Sequence, residues 1–148
     1  MTEDRDKNLV GYLEKAIGII ETMGIRIVDF RNRYVKVILP VKPNVNHIGT
    51  MYAGSLFSLA DFAGGVIFFA SFDHTRYFPI VKEMKIRFRR PVTSNATVEL
   101  ELTLEETERI LNEAEVQGKA EWTMDMEIKD ESGAMCCLVQ GVFQVRKK

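Results

Sequence analysis

The chain has 148 residues, 46% of them hydrophobic and 28% charged, with a formal net charge of −1. That length suits one domain spanning residues 1–148 around one core, and the composition excludes a disordered chain. The charge balance excludes a global field that would draw in nucleic acid or an anionic membrane, and the polar start MTEDRDKN has no apolar signal segment behind it, so the expected location is cytoplasmic.

From Asn8 to Glu21, the residues Leu9, Leu13, Ala16, Ile17 and Ile20 recur at intervals of three and four. This predicts one amphipathic helix ending near Gly24. Runs rich in β-branched residues at Ile25 to Val28 and Tyr34 to Leu39, separated by residues 29–33, predict a hairpin that Pro40 and Pro43 terminate. From Ala53 to about Phe69 the chain is apolar on nearly every face, the pattern of a helix enclosed by protein. The wider run Met51 to Phe72 has the length of a membrane span. A carboxylate in its middle, Asp61, is expensive in lipid and no second span accompanies it, so burial in protein is the expected state. Gly64 and Gly65 weaken the second half of this helix and let another backbone approach.

Further on, Met84, Ile86 and Phe88 alternate with Lys85, Arg87 and Arg89, and Val98, Leu100, Leu102 and Leu104 alternate with polar residues. Both patterns predict half-buried antiparallel strands. Thr103-Leu-Glu-Glu106 forms a capping box for a short helix at about 106–117, which Gly118 stops. Alternation from Ala120 to Ile128, a turn at Glu131-Ser132-Gly133 and a run from Ala134 to Val145 predict a second hairpin. Cys136 and Cys137 are read as reduced sheet residues, since adjacent cysteines do not bridge easily and neither has a metal-site spacing. The order of elements predicts an α+β fold in which a curved antiparallel sheet wraps one long central helix.

The run Asn46-His-Ile-Gly-Thr-Met-Tyr52-Ala53-Gly54-Ser-Leu-Phe-Ser-Leu-Ala-Asp61 resembles the signature of hotdog-fold thioesterases of the phenylacetate-pathway (PaaI) type. The motif is specific over about sixteen residues, and the strand pattern is compatible over roughly residues 25–146. The resemblance implies hydrolysis of an acyl-CoA thioester, with Asp61 as the catalytic carboxylate. It also implies a carbonyl-polarising N–H at Ala53, within Tyr52-Ala53-Gly54, and a loop asparagine, Asn46, that positions the attacking water. It implies a homodimer, either alone or as a dimer of dimers, with coenzyme A entering only as part of the substrate and no metal or redox cofactor. Tyr52 stands where the family has histidine, Ala53 where it has the first glycine, and Val81 aligns with a serine or threonine of some relatives. These departures, with the helix at 106–117, resemble the YiiD C-terminal thioesterase-like branch.

A helix start presents unpaired N–H groups and partial positive charge, which suits an oxyanion developing on a thioester carbonyl. Asp61 lies eight residues beyond Ala53, roughly 12 Å along the same helix, so it cannot serve its own helix terminus. A composite site across a two-fold interface resolves that distance. Bland alternatives stand beside each assignment: Asp61 capping a buried polar network or pairing with an arginine across the dimer, Asn46 as a turn residue or helix-approach cap and His47 as a solvated loop residue. Arg87, Arg89 and Arg90, with Lys85, are candidates for the phosphates of coenzyme A, and a solvated outer strand face is the alternative. Besides hydrolysis, the sequence admits a non-catalytic acyl-CoA binding or sensing module. A dehydratase or hydratase ranks last, because no histidine stands beside the helix start for proton abstraction.

Overall fold

The computed structural model describes residues 2–148, with side chains from Asp6 onward. In place of one N-terminal helix there are two, α1 (Thr2–Ala16) and α2 (Gly18–Met23). The break falls at Ile17, which takes extended backbone angles (φ −113°, ψ 113°). Redirecting the chain there buries Leu13 and Ile20 and leaves Ile17 and Ile19 exposed.

The first hairpin is β1 (Arg26–Arg31) and β2 (Tyr34–Leu39), joined by a turn of two residues where five were expected. A bulge between Ile27 and Asp29 shifts the register, so Val28 faces out and the simple alternation that marks a strand is lost there. The long helix α3 (Ala53–Ser71) follows, then β3 (Tyr77–Phe88), β4 (Ala96–Glu101), α4 (Leu104–Gln117), β5 (Lys119–Lys129) and β6 (Met135–Lys147). Strand β3 starts seven residues before the alternation at Met84 becomes legible. Pro79 and a second bulge between Val81 and Glu83 disguise its first half. Half of the capping box is formed: Thr103 Oγ1 accepts from Glu106 N–H at 3.1 Å, while the Glu106 carboxylate turns to Arg109 instead of back to Thr103, and Gly118 closes α4 with φ 80°.

All six strands are antiparallel and lie in the order β1-β2-β4-β5-β6-β3. Pairing between β4 and β5 is confined to Thr97 with Lys129 and Val98 with Ile128, so the sheet opens at that seam and curls around α3. The result is the expected α+β hotdog architecture. Strand faces alternate strictly along β5: Ala120, Trp122, Met124, Met126 and Ile128 are buried against the helix side, while the intervening charged and polar residues face out.

Eleven of the nineteen residues of α3 are buried. Close approach to the sheet occurs at Gly64, where any β-carbon would collide with the ring of Phe143. That ring also lies over Gly141 and stacks on Trp122 with centroids 5.5 Å apart. It is thus a side chain, not a backbone, that the glycine admits.

Candidate active site

The loop leading into α3 is held by its own polar groups. Asn44 is buried, and its Nδ2 donates to the carbonyl oxygens of Met23 at 2.8 Å and Pro40 at 2.9 Å, tying the loop to α2 and to the residue after β2. Sequence reasoning missed Asn44, for nothing local distinguishes it from any other residue after a proline. Asn46 Oδ1 accepts from the N–H groups of Ile48 at 3.0 Å and Thr50 at 3.1 Å, and its Nδ2 donates to Thr50 Oγ1 at 2.8 Å. These bonds fold the 46–50 turn. One Nδ2 hydrogen of Asn46 keeps no partner among the described residues.

Tyr52 caps α3 in an extended conformation without a side-chain hydrogen bond, and Ala53 is the first helical residue. The N–H groups of Ser55 and Leu56 both reach Tyr52 O, whereas those of Ala53 and Gly54 find no acceptor among the described residues. Two free donors at a helix N-terminus form an anion-stabilising pair. The Tyr52 ring lies beside them, so close that a β-carbon at Gly54 would come within 2.5 Å of it.

Asp61 stands about two turns further along α3. Its carboxylate makes no hydrogen bond or ion pair among the described residues, so no polar network of the chain's own holds it. The residue is open to solvent, yet it borders a cavity walled by apolar groups such as Phe62, Phe69 and Val81. Burial on that side pushes its carboxyl pKa up. Apolar surroundings disfavour the charged form, and no nearby cation offsets them.

The helix is not enclosed on every face. Ala53, Phe57, Asp61, Gly65 and Phe69, spaced by four, form a ridge that the chain leaves unburied. Such spacing forms a ridge that winds slowly round the helix, by about 40° for each step of four. Both predicted reacting groups, the Ala53 N–H and the Asp61 carboxylate, sit on this ridge, with Phe57 midway and 40% exposed. The spacing was present in the sequence, but the apolar character of every face hid which one stays open.

The predicted phosphate-binding cations divide. Arg87, with Lys85, lines a groove on the outer face of the sheet together with Glu99, Asp125 and Glu127, away from the helix side where Asp61 lies. Arg89 and Arg90 follow the end of β3, exposed, with their N–H groups on Cys136 O. None of the three arginines forms an ion pair among the described residues. His47 is exposed in its loop. Cys136 and Cys137 are free and buried, and desolvation pushes the Cys137 thiol up to about 11. Among the described residues no three His, Cys, Asp or Glu side chains converge as a metal site would require.

The sequence model of a family described as "Putative thioesterase (yiiD_Cterm)" matches residues 6–147. The chain belongs to this YiiD-type branch of the hotdog thioesterase superfamily. A solved structure of a protein of unknown function from Pseudomonas aeruginosa, titled a "Probable Thioesterase", is 37% identical to this YiiD-type chain, with a TM-score of 0.92 over 97% of this chain and 96% of that one. A thioesterase-titled structure from Shewanella oneidensis is 21% identical, with a TM-score of 0.78 over 93% and 97% of the two chains. A Chlorobaculum tepidum protein of unknown function is 17% identical, with a TM-score of 0.83 over 99% and 96%. These last two share the hotdog fold with the YiiD-type chain. Among curated proteins none matches significantly.

Proposed function

We propose that the chain hydrolyses an acyl-CoA or related acyl thioester at a site shared between two copies of itself. The observation that carries this reading is the open ridge of α3. A two-fold axis passing near Phe57 exchanges position 53 with position 61, so two antiparallel α3 helices set Asp61 of one subunit opposite the partner's Ala53. The roughly 12 Å that separates the two groups within one helix then ceases to be an obstacle. Strand β3 supports the same pairing. It is a twelve-residue edge strand whose outer side has no neighbour in the sheet, a natural template for a second copy.

In the composite site the Asp61 carboxylate takes a proton from water, and the resulting oxygen nucleophile attacks the thioester carbonyl carbon. The negative charge that moves to the carbonyl oxygen is met by the free N–H groups of Ala53 and Gly54. The carbon–sulfur bond breaks as the intermediate collapses, and the protonated Asp61 returns its proton to the leaving thiolate. Burial raises the Asp61 carboxyl pKa above that of an ordinary aspartate, which makes its carboxylate the stronger base. Asn46 acts chiefly by shaping the loop, with its remaining Nδ2 hydrogen available to water. Tyr52 flanks the oxyanion donors, and Arg89 and Arg90, exposed and without ion pairs among the described residues, are the cations proposed to meet the phosphates of coenzyme A.

Asp61→Asn should fold, remain associated and lose about 10²–10⁴ in turnover across a panel of acyl-CoA thioesters followed with a thiol-trapping dye. An unchanged rate would remove Asp61 from the mechanism. Wild-type protein that binds these thioesters without turnover would instead establish the acyl-CoA binding module.

A further inference from the structure

The glycines of this chain have mostly local explanations. Gly64 admits the Phe143 ring, Gly54 admits the Tyr52 ring, and Gly24, Gly49, Gly118 and Gly133 take positive φ. Gly65 has no such reason, and neither have Gly11 in α1 and Gly18 at the start of α2; of these three, Gly65 alone lies on α3 and lines the cavity beside Asp61. It lies in the middle of α3 with a helical backbone, and a β-carbon there would meet nothing within 4 Å. Glycine is a poor helix former that alanine would improve upon without any clash. The chain's own packing therefore does not call for glycine at this position, and the space above it stays open.

The open space belongs to the cavity that Asp61 borders, with a volume of about 320 Å³. Gly65 follows Asp61 by one helical turn on the same ridge, and Phe69 follows Gly65 by another. Val81 on β3 forms one wall, and Tyr12 on α1 with Ile17 at the break between α1 and α2 forms the other. The lining is almost wholly apolar apart from the Asp61 carboxylate. A thioester whose carbonyl sits beside Asp61 would send its acyl group along this space, over Gly65.

We infer that Gly65 is the floor of an acyl-chain site and that the site takes a medium-length aliphatic or aryl acyl group, with Tyr12 and Ile17 as its outer wall. This rests on the hydrolase reading for the position of the carbonyl. The cavity's volume of about 320 Å³ falls at the small end of ligand pockets, which suits an acyl group shorter than a long fatty chain. Its apolar lining and size are those of a small-molecule pocket. Any side chain at position 65 shortens it from the floor upward.

The test is equilibrium binding of two non-hydrolysable thioethers, octyl-coenzyme A and ethyl-coenzyme A, to full-length protein, with the oligomeric state followed by sedimentation. Wild type should bind the octyl compound at least tenfold more tightly than the ethyl compound. Gly65→Leu should lose at least tenfold in octyl affinity and keep its ethyl affinity and its assembly. Gly65→Ala should shift binding in the same direction by less, while raising the unfolding midpoint, and it keeps the test valid if the leucine variant does not fold. Equal binding of the two thioethers by wild type, binding of neither, or octyl affinity unchanged in the substituted proteins would overturn the inference. Loss of assembly in the alanine variant would also overturn it, because Gly65 would then serve the contact between subunits. Chain-length-dependent binding without turnover strikes the hydrolase reading alone. Turnover with no effect of Gly65 strikes only the acyl-floor inference.

Discussion

A single carboxylate in an apolar setting makes Asp61 both a tool and a liability. Because burial raises its pKa in the folded chain, the folded state holds the Asp61 proton more tightly than the unfolded state does. The stability this contributes is present below the unfolded pKa and is lost as pH rises through the folded pKa. Asp61→Asn abolishes that loss, so the variant should unfold at a higher temperature than wild type at neutral pH, and the difference should shrink in acid. Thermal midpoints measured across pH would check both the sign and the trend. In wild type the acid limb of kcat/KM should fall at a higher pH than an unperturbed aspartate would produce. The role proposed for Asp61 comes from its place in the motif. Its apolar surroundings were not legible there, since Val81 and Phe69 reach it from elements distant in sequence.

Among the elements, α3 decides most. Nineteen residues of nearly uniform hydrophobicity declare a helix and conceal its orientation, because periodicity cannot pick out a face when all faces are apolar. The curled sheet covers most of it and leaves the ridge through Phe57 exposed. If a second copy covers that ridge, Phe57 lies near the axis and meets its own image. Phe57→Glu would replace two buried rings with two facing like charges. Losing about 1.5–3 kcal/mol of burial for each ring predicts a dissociation constant weaker by about 10²–10⁴-fold. Sedimentation across a dilution series would measure it, and unaltered assembly would mean the ridge is covered by something else. The same element shows how far sequence reasoning reached with its glycines. A close approach was expected at Gly64 and Gly65; within the described chain the Phe143 ring makes one at Gly64, and the open space at Gly65 required the three-dimensional surroundings to be seen.

For the whole molecule the decisive question is whether one site draws on two chains. Asp61→Asn lacks the base, and Ala53→Pro lacks the donor at the first helical position, where proline is tolerated. Each homodimer should be nearly inactive. Mixed and allowed to exchange, half the dimers are mixed, and each carries one intact site of two, so activity should recover toward about a quarter of wild type. The Ala53→Pro subunit must first be shown to fold, and mixed dimers as inactive as their parents would refute the shared site. Local signals alone determined the antiparallel strand pattern, the cap of α4, the extent of α3 and the motif from Asn46 to Asp61, because each depends on residues a few positions apart. Only the tertiary structure decided the break at Ile17, the hidden first half of β3, the seam between β4 and β5, and the side of α3 left open. Each of those depends on contacts between distant elements: burial of Ile20, bulges that absorb one residue against a partner strand, and a sheet whose curl encloses most of a helix while exposing the ridge that carries Asp61.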